Sequence, residues 1–195
     1  MPLLTKQLKE QGFTKSAGGG NYLNPSSIGE GDKCRFTILG DDSATGYQCW
    51  IDTPEKRMAI RFADEPTRSD IEERASELGG TVPDDCAAKR FLAYAVYNYD
   101  LEKVQVFQFT QASIATPVIG YLSDDEIAQE PHLYDFVLSA TGSGMDKRYS
   151  VAALPGRRRK DDGNAKVEKA WKAVKADGFN ISVLLAGGDP FKPPF

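Results

Sequence analysis

The segment Arg90-Phe91-Leu92-Ala93-Tyr94-Ala95-Val96-Tyr97-Asn98-Tyr99 constrains this 195-residue chain more than any other. Aromatic side chains fit a pleated, half-buried surface, so it reads as a strand. Asp100-Leu101-Glu102 supplies a short turn and residues 103–109 return, which makes a long hairpin. One face would carry Phe91, Ala93, Ala95, Tyr97 and Tyr99, and the other Leu92, Tyr94, Val96 and Asn98. Both faces hold apolar groups, so the period alone does not say which one looks outward.

Three further strands precede it. Lys33-Cys34-Arg35-Phe36-Thr37-Ile38-Leu39 alternates polar and apolar, and Gly40-Asp41-Asp42-Ser43 has turn chemistry. Residues 46–52 then read as a second strand and residues 57–62 as a third. Ser69 at an N-cap and Glu72 three positions later predict a helix that stops at Gly79-Gly80. Residues 113–122 predict another helix despite Pro117, and Ser123-Asp124-Asp125-Glu126 a short one. A second hairpin joins residues 133–141 to 147–154 through Gly142-Ser143-Gly144. Val167, Ala170, Trp171 and Val174 share one face of a C-terminal helix whose other side carries lysines. The expected fold is mainly β with inserted helices: a five-stranded OB-type Greek-key barrel plus a C-terminal amphipathic helix, with a sandwich as the competitor. Residues 1–20 are expected to be a partly flexible N-terminal segment with a short helix over 3–13. The barrel would occupy residues 21–154, and residues 155–195 would be basic linker, helix and tail.

Several chemistries are disfavoured. No apolar run reaches the roughly 18 residues of a membrane span, and residues 1–10 lack the apolar core of a signal peptide, so a cytoplasmic chain is expected. Cys34, Cys49 and Cys86 are odd in number, widely spaced and without a CxxC pair, which argues against a disulfide framework. A zinc site would have to gather them with His132, the single histidine, from four distant elements. No phosphate-binding glycine loop has the required spacing. The doublets Asp41-Asp42, Asp84-Asp85, Asp124-Asp125 and Asp161-Asp162 sit where Asp is favoured in turns and helix starts. No enzyme, metal or cofactor is expected.

Single-stranded nucleic acid is held by cations on phosphates and by rings stacked on bases. This chain interleaves the two: Tyr47 and Trp50 precede Lys56, Arg57 and Arg61; Arg90 precedes Tyr94, Tyr97 and Tyr99; Lys147 and Arg148 adjoin Tyr149. These twelve are the candidate binding residues. Strand aromatics also build cores, so each ring carries that competing reading; Tyr97 and Tyr99 are the expected ligand-facing pair. Arg57 and Arg61 share a strand face, as partners of phosphate or as a solvated edge. The charge is uneven: residues 155–195 carry nine Lys/Arg against five Asp/Glu, and residues 1–154 fifteen against twenty-three. The run Arg157-Arg158-Arg159-Lys160 reads equally as a phosphate-contacting arm or a soluble linker.

Asn21-Tyr22-Leu23 before Gly31-Asp32-Lys33-Cys34-Arg35-Phe36 resembles the barrel entry of tailed-phage single-stranded-DNA-binding proteins. The resemblance runs on through residues 90–100 and 103–114, then Tyr134-Asp135-Phe136 and residues 141–151, and covers most of 21–154. It implies an OB-type barrel that coats single-stranded DNA in phage replication, recombination and repair, without catalysis, in the cytoplasm of the host bacterium. The T-even member of that class carries a structural zinc; the Cys/His spacing here does not match its pattern. Many such proteins recruit replication enzymes through an acidic tail with an aromatic tip. Here the tail ends in Pro-Phe without the acidic run, so Phe191 and Phe195 are candidate partner contacts. The alternatives are a replisome or particle adaptor that binds protein through the same sheet, and a metal-dependent nuclease using the aspartate doublets.

Overall fold

The structure is a computed structural model that describes residues 20–131, 134–154 and 161–192. The expected helix over 3–13, His132, the 157–160 basic run and Phe195 lie outside those residues. Seven strands form one curled, open sheet in the order β1-β5-β4-β2-β6-β7, with β3 paired to β2. They are β1 Tyr22–Leu23, β2 Lys33–Asp52, β3 Arg57–Phe62, β4 Lys89–Asn98, β5 Lys103–Phe109, β6 Asp135–Thr141 and β7 Arg148–Leu154. All pairings are antiparallel except β1 with β5. The chain is thus mainly β with several helices: α1 Arg68–Glu77, α2 Ala112–Leu122, α3 Asp125–Gln129 and α4 Asp161–Ala176, followed by a 3-10 turn Ile181–Ala186. No helix among the described residues is long and apolar enough to cross a membrane.

The sheet has seven strands rather than five, because β1 adds an edge and β3 a wing. The two strands expected over 33–39 and 46–52 are one strand, β2. Gly40 takes φ +65°, and the register with β4 shifts between Ile38 and Ser43. Gly40-Asp41-Asp42-Ser43 is therefore a bulge that bends a continuous strand, not a turn that ends it. The bend gives β2 two neighbours on one edge. Lys33–Phe36 pair with β6 and Tyr47–Asp52 pair with β3, while β4 follows the other edge.

The predicted caps shift slightly. Thr67, not Ser69, caps α1: the Asp70 amide donates to Thr67 Oγ1 at 3.3 Å and Thr67 N donates to Asp70 Oδ2 at 2.7 Å. Asp70 at N3 closes the capping box that Glu72 was expected to close. Asp124, not Ser123, caps α3 by accepting from the amides of Glu126 and Ile127.

Three apolar clusters hold the fold. Inside the curl, Phe36 lies 5.0 Å from Phe107 and 5.7 Å from Phe136, ring centre to ring centre, with Ile114 and Val118 of α2 packed against the same cluster. On the opposite, outer face, Phe91, Ala93, Ala95 and Tyr97 of β4 pack with Val104 and Val106 of β5 under the C-terminal segment. At the far end of β2, Cys49, Ile51 and Ile60 lie under Ile71 and Ala75 of α1. β4 is thus buried on both faces, as its two apolar faces require.

Candidate nucleic-acid interface

Residues paired across antiparallel strands point to the same face of a sheet. The pairs Trp50↔Ala59, Gln48↔Arg61 and Asp52↔Arg57 therefore set Trp50, Arg57 and Arg61 on one face of the β2–β3 wing. The pairs Gln48↔Lys89 and Gly46↔Phe91 carry that face onto β4, so it is the outer face of the whole sheet. Trp50 is 47% exposed. Ala59, directly across from it, is too small to cover the indole, and Arg57 and Arg61 are its diagonal neighbours.

Hydrogen bonds close the turn of the wing. In its turn, Thr53 N donates to Lys56 O at 3.0 Å and Lys56 N to Thr53 Oγ1 at 3.2 Å, which leaves Lys56 exposed at the tip. Arg57 is exposed, with Nε 3.8 Å from the exposed Asp52 carboxylate. A pair so exposed contributes little to stability, which leaves Arg57 able to exchange that carboxylate for another anion.

Arg61 is held more firmly. It donates to Gln108 Oε1 at 2.9 Å, and Gln108 Nε2 donates in turn to Gln48 Oε1. Burial pulls the Arg61 guanidinium below its usual pKa, and the neighbouring Tyr22 hydroxyl partly offsets this. Burial pushes the Tyr22 phenol up, against the lowering effect of Arg61 and with a smaller raising one from Asp189. Arg61 Nε is buried and has no hydrogen-bond partner among the described residues. Gln48 and Gln108 were not among the residues singled out from sequence. The strand register is the signal that joins them to Arg61.

The other predicted residues are elsewhere. Tyr97, expected to face ligand, is only 5% exposed, because Val167, Phe179, Ile181 and Leu184 close over its face of the sheet. Tyr99 is half-buried, its ring 5.2 Å from that of Tyr97 and 5.6 Å from the Arg35 guanidinium. Tyr94 points into the curl, stacked at 6.4 Å on Phe109, where burial raises its pKa. As placed, these rings are packing groups and not an open platform.

Tyr47 and Arg90 pair on the inner face beside Asp64 and Glu65, away from Trp50. Lys147 donates to Ser26 O at 2.8 Å and lies 5.4 Å from the Tyr149 ring. Tyr149 packs against the interior cluster, and Arg148 is exposed opposite Thr141. That group belongs with β6, which pairs with the beginning of β2, whereas Trp50 sits near its end. Of the twelve candidates, then, Trp50 and Arg57 share an open surface with Lys56 at its tip and the half-buried Arg61 at its border, and the rest do not join them.

Phe191 is not a free aromatic tip. Its ring packs at 5.1 Å on Phe179, which packs at 5.4 Å on Trp171. No group of three metal-ligating side chains is assembled among the described residues. No family model, curated protein or solved structure matches this chain.

Proposed function

We propose that this chain is a non-enzymatic protein that binds single-stranded DNA without reading sequence, in phage replication, recombination and repair within a host bacterium. The observation that carries the reading is the Trp50 indole, 47% exposed on an outer sheet face between Arg57 and Arg61. A flat ring accepts any base, and neighbouring guanidinium groups neutralise the phosphates on either side of it. Lys56 at the wing tip and Lys89 on the adjoining strand extend the cationic track.

The strand pairings support an oligonucleotide-binding type of barrel. Long, bent β2 is followed by the hairpin β4–β5, then α2, then the hairpin β6–β7, with β6 returning to the first half of β2. In this reading β2, β4, β5, β6 and β7 are the five strands of a partly open Greek key, and β1 and β3 are additions. The sequence resemblance to tailed-phage single-strand binders covers those same strands.

The test is a titration of a labelled oligo-dT with the full chain at low and high salt. Binding should weaken as salt rises, because each neutralised phosphate releases counterions. No binding at low salt would overturn the proposal and leave Trp50 and its arginines as the contact surface of a protein adaptor.

A further inference from the structure

The third apolar cluster holds two thiols that no part of the DNA reading uses. Cys49 lies on β2 and is 1% exposed; Cys86 lies in the loop between α1 and β4 and is half-buried. The sequence spacing hides their relation, and the strand register reveals it. Thr81 exchanges two backbone hydrogen bonds with Asp52, at 3.0 and 2.8 Å, and Lys89 pairs with Gln48. Residues 82–88 therefore leave β2 and return to it opposite Cys49, Trp50 and Ile51. Cys86 is three residues before Lys89, whose partner adjoins Cys49 in sequence, and both side chains enter the cluster beneath α1.

Cys86 packs against the cluster that Cys49 helps form, on the side where the loop returns to β2. Two thiols in one cluster, on elements that backbone pairing already holds side by side, are candidates for a disulfide. Cys34 is buried in the separate cluster inside the curl and has no part in this pair.

We infer that Cys49 and Cys86 are a modification site: a dithiol that a peroxide converts to an intrachain disulfide.

Cys86 is the sulfur that starts the reaction. It reaches the surface beside Arg68, which donates to Pro83 O at 3.2 Å on the same loop and is paired with Glu72 at 2.7 Å. Burial pushes the Cys49 thiol up to about 12, so Cys49 does not lead.

The Cys86 thiolate attacks one peroxide oxygen. An S–O bond forms, the O–O bond breaks and hydroxide leaves, giving the sulfenic acid. Cys49 sulfur then attacks the Cys86 sulfur. The S–S bond forms, the S–O bond breaks, and water leaves with the thiol proton. The pair loses two electrons to the peroxide, and a dithiol reductant returns them.

The product would staple the loop to β2 at the residue next to Trp50. The test treats the full chain with hydrogen peroxide, blocks remaining thiols under denaturing conditions and maps peptides by mass spectrometry. A Cys49–Cys86 linked peptide with Cys34 blocked is expected, in the wild type and in Cys34→Ser. Linkage should raise the Tm by roughly 10 °C, since it closes a long loop of the unfolded chain, and Cys86→Ser should abolish both effects. Cys49 recovered as a free thiol beside over-oxidised Cys86, or a link between two chains, would overturn the inference. So would a linked chain with an unchanged or lower Tm, because the thiols would then have had to move to meet. None of these readouts involves DNA, so they stand or fall apart from the proposed function.

Discussion

The outer face of the sheet has two halves of opposite fate. Over β4 and β5 it presents Phe91 and Tyr97, and both are sealed, at 1% and 5% exposure. Over β2 and β3 it presents Trp50, and that ring is open at 47%. Both halves carry the aromatic residues that a base-stacking surface needs. What separates them is the C-terminal segment. Trp171 lies under Gly40, with its indole Nε1 3.7 Å from where a Cβ would stand, and Leu185 fills the space over Gly46. A Cβ at Gly46 would meet Phe62 O at 2.3 Å and Leu185 at 2.9 Å, so the missing side chain makes room for the cover. Beyond Gly46 the face changes to Gln48, Arg61 and Gln108, whose hydrogen bonds form a polar border that an apolar cover would leave unsatisfied. An aromatic strand is thus a platform only where nothing else in the chain covers it.

The largest expected effect tests whether the cover is structural. Phe179 is 6% exposed and touches the rings of both Trp171 and Phe191. Phe179→Ala should cost about 3–5 kcal/mol of stability by leaving a cavity. Thermal unfolding measures this, and oligonucleotide affinity of the molecules still folded should not change. If the variant instead kept its melting temperature and bound DNA more tightly, the C-terminal segment would be a displaceable lid and the sealed half a second part of the site.

The open half predicts the reverse pattern. Trp50→Ala should weaken oligo-dT binding by about 1–3 kcal/mol, the worth of one stacked base. Its stability should stay within about 0.5 kcal/mol of the wild type, since an exposed side chain leaves no cavity. Titration and thermal melting of the same sample check both. A lower melting temperature with unchanged binding would place Trp50 with Tyr97, as a packing group.

Much of the fold is written locally. The β4–β5 hairpin, the β6–β7 hairpin and the amphipathic face of α4 follow from short-range periodicity, and each forms close to its predicted bounds. Arg57 and Arg61 share a face because a strand has a two-residue period, and the register with β2 preserves this. The rest depends on distant contacts. Gly40-Asp41-Asp42-Ser43 has turn chemistry, but a bulge needs the same backbone freedom, and only pairing with β4 tells them apart. The burial of Tyr97 is decided by Phe179, Ile181 and Leu184, which arrive from the other end of the chain. Two apolar faces on one strand do signal two covers, and the apolar residues after α4 were the available candidates. Trp50 remains open because Ala59 stands across from it, a pairing that the hairpin register sets.

The smallest effect sharpens the open half further. Arg57 is exposed, and among the described residues its ionic neighbour is the equally exposed Asp52 at 3.8 Å, so Arg57→Ala should leave stability almost unchanged. If the guanidinium neutralises one phosphate of a single strand, the slope of log affinity against log salt should become shallower by about 0.7. The loss should be uniform across base compositions, because a phosphate contact carries no sequence information. Repeating the salt titration with oligo-dT and oligo-dC checks both. A wild-type slope would mean that the strand passes the ring without touching Arg57, and would move the phosphate track to Arg61 and Lys89 on the other side of Trp50.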